Sequence, residues 1–435
     1  MKFAIIDTMK STPYYRDTLC LNIGDTFQAY VLRQLLLEMG IPSEDIISID
    51  PSELWSYDGE YAILLVNFFF GTLASFYFSP KLIPVFLGLH HEPAGNLYPR
   101  AKQTLTQHQP IGCRDERTML DLRKEGIQSY LAGCITATLP KMWTGKGTKI
   151  FCVNAPLDII DSYIPKELTD KYEVIEISHL YIDDETIFDR RYEEIDSLIR
   201  MYTEEACLVV TNKLHVASPC IALGVPTIIA TNNRSSRMSW IDKFVPIYTD
   251  DEFDKIDWHP LPVEFEATKK MMKDVAKKRI SEAIDKYQSM YEISGYFENR
   301  EHGEYDSLVS NITKNKLRPD NDSFEYVLWG AFEIGVRAVE SITKSYPKSK
   351  LVCVVDSNAI GYAFFGHEVK HPSERHKYPN ALIIVAGFGK GNIKLSENYR
   401  KASENKFDTK LAAECELIEE GKICGKDYVV YLGGA

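Results

Sequence analysis

Short runs of apolar residues alternate with stretches of helical periodicity along most of the chain. The runs have the length of buried strands, and the segments between them are long enough to hold a helix or a loop. Alternation of this kind is typical of α/β folds that are built on parallel sheets. In the first third of the chain the predicted strands are Phe3–Ile6, Ile46–Ile49, Tyr61–Val66, Val85–His91 and Ile111–Cys113.

A second series of strands begins after Thr144–Gly147, a segment that is typical of an interdomain linker. We therefore predict an N-terminal Rossmann-like domain over residues 1–143 and a second one over residues 144–300. Parallel sheets bind ligands at the carboxyl ends of their strands, so two such domains that face one cleft would share one site. The predicted strands of the second series are Ile150–Val153, Tyr172–Ile177, Cys207–Val210, Thr227–Ala230 and Phe244–Tyr248, and a charged helix is predicted over Glu266–Tyr291.

A smaller Rossmann-like domain is predicted over residues 323–435, where Tyr326–Gly335 has the pattern of strand, glycine turn and helix. Phe332 occupies the position at which the dinucleotide-binding fingerprint has its close-approach glycine, and its ring would crowd a pyrophosphate. Asp356 lies near the position of a ribose-binding acid, although an acid there is also common for structural reasons. We predict an accessory domain that binds no dinucleotide. Its other predicted strands are Leu351–Val355 and Ala381–Ala386.

The composition is that of an ordinary globular protein, with 45% hydrophobic and 26% charged residues among 435. A formal net charge of -12 argues against a nucleic-acid binder, because affinity for phosphate comes from clustered Lys and Arg. The nine cysteines include no pair at zinc-binding spacing and are typical of a reduced cytosolic protein. We therefore expect no metal site, and we also predict that no cofactor is required.

We predict a cytoplasmic protein, because Met1-Lys2 leads directly into the first strand without the pattern of a secretory signal. The uncharged stretch Tyr61–Pro80 has the length of a membrane span, but Asn67, Gly71 and Ser75 interrupt it. It divides better into a buried strand and an aromatic loop. Peripheral attachment to the inner face of a membrane is left open.

The most informative stretch is a strand, turn, helix and strand between Ala206 and Ala230. Gly224 and Pro226 end the predicted helix. Lys213 and His215 lie in the turn before it, at a strand end and beside a helix N-terminus, and this position favours binding of a phosphate or carboxylate. A structural histidine and a solvated lysine explain the same pattern, so position alone leaves both interpretations open.

Other candidate residues follow strands of the first domain. Arg114 comes directly after a short strand and offers a fork of donors to an anion. Asn22 or Asp25 can cap the next predicted helix, and Gly24 lets the backbone approach a ligand or another segment closely.

Four motifs taken together resemble those of the polysaccharide pyruvyl transferase family, over about residues 1–291. The resemblance implies an architecture similar to that of GT-B glycosyltransferases. The expected fold class is therefore α/β, with two Rossmann-like domains in a GT-B-like arrangement plus the smaller C-terminal Rossmann-like domain. The motifs are Asn22-Ile23-Gly24-Asp25, Gly112-Cys113-Arg114-Asp115-Glu116-Arg117-Thr118, Gly133-Cys134-Ile135-Thr136-Ala137-Thr138-Leu139-Pro140, and Lys213-Leu214-His215 with Gly224-Val225-Pro226.

The resemblance also implies an activity, since family members use phosphoenolpyruvate to place a pyruvyl ketal on a sugar of a surface polysaccharide or its lipid-linked precursor. By resemblance, Arg114, the trio Lys213-Leu214-His215 and Arg237 hold the donor. Lys213 stands where arginine is more usual, which reduces a bidentate grip on phosphate to a point charge. His215 can move protons near neutral pH, and Asp25 is a second candidate base.

The remaining candidates at the site would bind substrate. Asn22 and Gly24 belong to the first motif, and His90 and His91 are candidates to line the acceptor side. The predicted partners are phosphoenolpyruvate and a glycan acceptor that a lipid can carry at a membrane surface, and assembly into a homo-oligomer is left open.

Two other functions are compatible with the sequence. A nucleotide-sugar glycosyltransferase of GT-B type would share the cleft and its basic residues. A non-catalytic glycan-assembly protein would have the same fold with a decayed cleft, and Lys213 in place of arginine gives this alternative some weight.

Overall fold

The structure is a computed structural model, and it divides into two compact units. The first consists of Met1–Pro51, Gly59–Phe76 and Pro80–Glu292, and the second of Ser52–Asp58, Tyr77–Ser79 and Ile293–Ala435. The predicted division of the first unit into two domains stays a prediction. The residues described are 1–8, 20–54, 57, 59–70, 78, 81–91, 99–182, 184, 186–292, 323–331, 333–357, 359–386, 413, 416–417, 420–422 and 427–431.

The first unit contains a parallel four-stranded sheet near its N-terminus. Its strands, in spatial order, are β3 (Ile46–Ile49), β1 (Lys2–Ile6), β4 (Ala62–Val66) and β6 (Leu82–Phe86). Every residue of β4 and β6 is buried, as expected for continuous apolar runs in a parallel sheet. Pro84 is tolerated because β6 is an edge strand, whose free side needs no ladder hydrogen bonds.

The second sheet of the first unit has five parallel strands. In spatial order they are β11 (Glu173–Ile177), β10 (Lys149–Val153), β13 (Ala206–Thr211), β14 (Thr227–Ala230) and β15 (Ile247–Tyr248). All five lie within two or three residues of their predicted bounds. The predicted α/β fold with parallel Rossmann-like sheets is confirmed.

Three short pairings complete the first unit. The strand predicted at Val85–His91 is wrong in its bounds, because the chain leaves β6 after Phe86 and forms a separate strand, β7 (His90–His91). The pairs are β5 (Phe69–Phe70) with β7, β8 (Ile111–Cys113) with β9 (Ser129–Leu131), and β2 (Cys20–Asn22) with β12 (Leu180–Ile182). The last pair is antiparallel and connects the N-terminal part of the first unit to the part that carries the second sheet.

The helices of the first unit begin and end where the sequence provides caps. Helix α1 (Ile23–Glu38) is capped by Asn22, whose side chain accepts a hydrogen bond from the Gly24 N–H at 3.2 Å. Helix α6 (Leu214–Leu223) is followed by Gly224, which takes the left-handed conformation, and the Lys269 ammonium donates to the Ala222 carbonyl in the last turn of α6 at 2.7 Å. The helices are α1 (Ile23–Glu38), α2 (Pro99–Gln107), α3 (Glu116–Lys124), α4 (Lys166–Thr169), α5 (Ile187–Arg200), α6 (Leu214–Leu223) and α7 (Glu266–Glu292).

The second unit carries its own parallel sheet, with the order β17 (Lys350–Val355), β16 (Glu325–Trp329), β20 (Leu382–Ala386) and β21 (Tyr428–Tyr431). Helix α8 (Glu333–Ser345) follows β16, as predicted, whereas Phe332 lies outside the described residues. A small antiparallel pair, β18 (Ala363–Phe364) and β19 (His367–Glu368), completes this unit. No helix in the described part of the chain combines the length and the apolar character needed to cross a membrane.

Candidate functional site

A pocket of about 210 Å³ opens in the first unit where α1 meets the ends of several strands of the second sheet. Residues that directly follow strands β10, β11, β13 and β14 line the pocket, as expected for ligand sites in parallel sheets. Six of the predicted site residues line it: Asn22, Gly24, Lys213, Leu214, His215 and Arg237. The other polar residues on its wall are Asn154, His179, Asn212 and Ser235.

Lys213 and the start of α6 give the pocket an electropositive end. Lys213 is the N-cap residue of α6, and its side chain makes no capping hydrogen bond to this helix start. Its backbone N–H is held by Thr211 Oγ1 at 3.0 Å, and its side chain is exposed. The free N–H groups of the first turn and the ammonium group therefore act together in favour of an anion.

His215 lies in the first turn of α6 and faces the start of α1. Its Nδ1 lies 3.6 Å from Asp25 Oδ1, and only 5% of the residue is exposed. A Cβ on Gly24 would come within 2.9 Å of the Cβ of His215, so glycine at this position allows the two helix starts to meet. The close approach that we predicted for Gly24 is made to His215.

Arg114 lies behind His215 and does not line the pocket. The residue is completely buried, and its Nη1 lies 3.4 Å from His215 Nε2. Its Nη2 donates to Gln28 Oε1 at 2.6 Å. A guanidinium group has only donors, so a hydrogen bond to His215 requires an unprotonated Nε2.

The carboxylate of Asp25 is the negative group of the site. Burial opposes its ionisation, but the hydrogen bond and the charge of His215 outweigh burial and lower the pKa of Asp25, with help from Arg237 and Arg114. Asn22 Nδ2 also donates to Asp25, at 3.1 Å. The carboxylate therefore stays ionised next to the imidazole ring.

Arg237 reaches the pocket from the turn Ser236–Met238, which follows β14. Its guanidinium carbon lies 5.8 Å from the centre of the Phe69 ring, and its buried Nε has no hydrogen-bond partner among the described residues. The turn is fixed from the other side, because Arg117 Nε donates to Ser236 Oγ at 3.2 Å. The guanidinium group of Arg237 is thus a second cation on the pocket wall, in addition to the ammonium group of Lys213.

His179, which we did not predict, also lines the pocket. It is buried, its ring stacks on Phe27 with a centroid distance of 6.3 Å, and its Nε2 lies 2.7 Å from the Tyr202 hydroxyl. Burial, together with the charges of His215 and Lys213, lowers the pKa of His179 to about 3. The ring is therefore a neutral polar group of the wall. Its position after β11 was the one signal that could have identified it.

His90 and His91 lie elsewhere in the first unit, and neither lines this pocket. His90 Nδ1 lies 2.6 Å from Asp115 Oδ2, and both side chains are buried. Burial lowers the pKa of His90, so the neutral ring donates to the carboxylate, while Thr118 donates to the same carboxylate. His91 accepts a hydrogen bond from Arg117 through its carbonyl oxygen. Their predicted place on the acceptor side stays a prediction.

Comparison with known proteins gives one family. Residues 22–234 match the family model described as polysaccharide pyruvyl transferase. No curated protein matches the chain. A solved structure of the wall teichoic acid polymerase TagF is similar over 64% of this chain and 82% of its own, with 10% sequence identity and a TM-score of 0.29, too low to bear on function.

Proposed function

We propose that the chain, whose residues 22–234 match the polysaccharide pyruvyl transferase family, is a transferase that moves pyruvate from phosphoenolpyruvate to a glycan as a ketal. The observation that carries this proposal is the convergence of Lys213, Arg237 and the start of α6 on one pocket whose wall also includes His215, the partner of Asp25.

The donor has a phosphate and a carboxylate, so it needs several positive groups in one place. Lys213 and the N–H groups of α6 suit the phosphate, since a helix start favours a multiply charged anion. Arg237, which lines the same pocket, is the candidate for the carboxylate. We assign Arg114 to the support of His215, since it is buried behind that ring.

The size of the pocket favours a small donor over a nucleotide sugar. Its volume of about 210 Å³ lies below the range of about 300–1,000 Å³ that pockets for drug-sized ligands have. A nucleotide sugar would need a larger space and a wall for its base. A three-carbon acid with one phosphate needs neither.

Ketal formation moves protons, and we assign this role to the Asp25–His215 pair. Asp25 accepts a proton from the attacking sugar hydroxyl as its oxygen bonds to C2 of the donor, and the pair returns a proton to the methylene carbon. The second hydroxyl then displaces phosphate at C2, and its proton leaves with the phosphate. The product is a cyclic ketal and inorganic phosphate, so atoms and charge balance.

The test is incubation of the protein with phosphoenolpyruvate and a panel of lipid-linked and free glycans, followed by mass spectrometry and a phosphate assay. We expect a mass gain of one pyruvyl ketal together with release of phosphate. A parallel incubation with nucleotide sugars should give no hexose transfer. A hexose gain, or no product from either donor class while phosphoenolpyruvate also fails to bind, would contradict the proposal.

A further inference from the structure

Four side chains of the site form a closed ring of polar contacts. Asp25 Oδ1 lies 3.6 Å from His215 Nδ1, and Nε2 of the same imidazole lies 3.4 Å from Arg114 Nη1. Arg114 Nη2 donates to Gln28 Oε1 at 2.6 Å. Gln28 Nε2 donates to Asp25 Oδ1 at 3.4 Å, and this bond closes the ring. Gln28, which we did not predict from the sequence, is therefore its fourth member.

The two neighbours of Gln28 in this ring fix the orientation of its amide group. A guanidinium group only donates hydrogen bonds, and an ionised carboxylate only accepts them. The carbonyl oxygen of Gln28 must therefore face Arg114, and the NH₂ group must face Asp25. An apolar side chain in this place would leave a buried donor of Arg114 unpaired, and a carboxylate would repel Asp25.

The carbonyl oxygen of Gln28 is also held from the N-terminal sheet. Asn67, which follows β4, donates to it through Nδ2 at 2.8 Å. The amide of Asn67 is fixed in turn, because its Oδ1 accepts the N–H of Ile135 at 3.3 Å. Ile135 belongs to the third motif, and the ring itself contains residues of the first, second and fourth motifs. All four motifs are thus joined by hydrogen bonds and contacts around Gln28.

The place of Gln28 on α1 suits a supporting role. It lies one helical turn after Asp25, is buried, and does not line the pocket. Asn22 Nδ2 holds Oδ2 of the Asp25 carboxylate at 3.1 Å, so Gln28 holds the other oxygen, the one that faces His215. Loss of the Gln28 amide would release this oxygen and one end of the Arg114 guanidinium at the same time.

We propose that Gln28 is a positioning residue for pyruvyl transfer, whose amide holds Asp25 and Arg114 in place on the two sides of His215. The inference rests on the proposed function, in which the Asp25–His215 pair moves the protons. Because Gln28 does not line the pocket, its replacement should change turnover and not the binding of phosphoenolpyruvate.

The bridge is tested without catalysis by titrating the ¹³C signal of the Asp25 carboxyl group, which is identified by its loss in Asp25→Asn. Burial opposes ionisation of Asp25, but His215 of α6, Arg237 of the turn after β14 and Arg114 after β8 together lower its pKa. Gln28→Glu places a second carboxylate beside Asp25, and the two groups then compete for one proton. We expect the midpoint of the Asp25 titration to rise by about one pH unit or more.

Gln34→Glu is the matched control for this titration, because Gln34 lies on the same helix and is exposed. It adds the same charge at a distance from the ring, so the midpoint of Asp25 should stay at its wild-type value. A midpoint that is also unchanged in Gln28→Glu would overturn the proposal, since it would show that the side chain at this position does not contact the carboxylate.

A kinetic test separates positioning from packing. Gln28→Met keeps most of the side-chain volume and removes the amide, so kcat should fall about 10–100-fold while KM for phosphoenolpyruvate does not rise. Gln28→Glu should also lower kcat, and the acid limb of its kcat–pH profile should move to higher pH because Asp25 keeps its proton longer. A residue that only packs would leave the acid limb unmoved in both variants.

Thermal unfolding shows whether each variant is folded in the assay, and Gln28→Glu keeps the shape of the side chain if Gln28→Met does not fold. A wild-type kcat in folded Gln28→Met, or an unmoved acid limb in Gln28→Glu, would contradict the positioning role. If wild type transfers no pyruvate, the proposed function fails, whereas the titration of Asp25 still decides whether Gln28 bridges the two charged groups.

Discussion

Nη1 of Arg114 lies 3.4 Å from Nε2 of His215, although Arg114 follows a short strand near the N-terminal sheet and His215 starts a helix of the second one. The guanidinium can only donate, so their hydrogen bond places the ring proton on Nδ1, toward Asp25. The ring is therefore oriented by a cation on one nitrogen and a carboxylate on the other. This relationship makes His215 the residue whose replacement is most informative.

We expect His215→Asn to lower kcat by about 10²–10⁴-fold, because a positioned proton carrier typically contributes that factor. KM for phosphoenolpyruvate should change little. The measurement is steady-state kinetics at saturating acceptor, with His259→Asn as the control, since His259 is a surface histidine whose side chain is 68% exposed. A variant that keeps its turnover and loses only donor affinity would identify His215 as a ligand and not as a proton carrier.

Replacement of Lys213 should affect binding more than turnover. Lys213→Ala removes a charged contact worth about 1.5–3 kcal/mol, which raises KM for phosphoenolpyruvate about 10–100-fold. Lys213→Arg should bind at least as well as wild type, because arginine can bind phosphate through two parallel bonds. Lys270→Ala, at an exposed position of α7, is the control. A large loss of kcat at saturating donor in Lys213→Ala would show that this lysine acts in the transition state.

The Asp115–His90 pair predicts how stability depends on acid pH. Burial opposes ionisation of Asp115, but hydrogen bonds from His90 and Thr118 outweigh it and lower the pKa of Asp115. The stabilisation is present above the unfolded pKa of about 3.9 and is lost as the pH falls through the lower folded value. In urea unfolding between about pH 3 and pH 6, Asp115→Asn should lose about 1.5–3 kcal/mol at pH 6 and less at pH 3. Asp121→Asn on the same helix should follow wild type, and a loss in Asp115→Asn that does not depend on pH would contradict this explanation.

The second unit should bind no dinucleotide tightly. The carboxylate of Asp356 accepts the Ala331 N–H at 3.0 Å, so an anion of the protein already occupies the glycine turn after β16. Packing explains why glycine is found at positions 330 and 335. A Cβ on Gly330 would lie 2.0 Å from the Ala386 carbonyl oxygen, and a Cβ on Gly335 would lie 2.0 Å from the Gly330 carbonyl oxygen. Calorimetric titration with NAD, NADP and nucleotide sugars should show no micromolar binding. A micromolar constant would mean that Asp356 leaves the turn for a ribose.

Much of the fold could be predicted because its signals are local. The run Ala206–Val210, the turn at Lys213 and the end of α6 at Gly224 depend on residues a few positions apart, and the structure has all three where the sequence placed them. The strand predicted at Val85–His91 failed because a continuous apolar run does not show where the chain leaves a sheet.

The parts of the site that could not be predicted depend on distant contacts. The complete burial of Arg114 comes from Gln28 and His215, which are 86 and 101 residues away along the chain. Only its position after β11 separates His179 from a structural histidine in the sequence. The chemistry of its ring comes from a neighbour that the fold supplies, the hydroxyl group of Tyr202.

The antiparallel pairing of β2 with β12 has a mechanical consequence. Asn22 belongs both to this ladder and to the pocket wall, so the two sides of the pocket are joined by backbone hydrogen bonds at its edge. If the two sides of the pocket move relative to each other, the β2–β12 ladder acts as the hinge axis. The ladder therefore limits how wide the pocket can open when a glycan enters or leaves. Hydrogen exchange measures the stability of this ladder. We expect the Leu21 amide to exchange as slowly as amides of the central strands, whereas fast exchange of the Leu21 amide would indicate a hinge that opens freely.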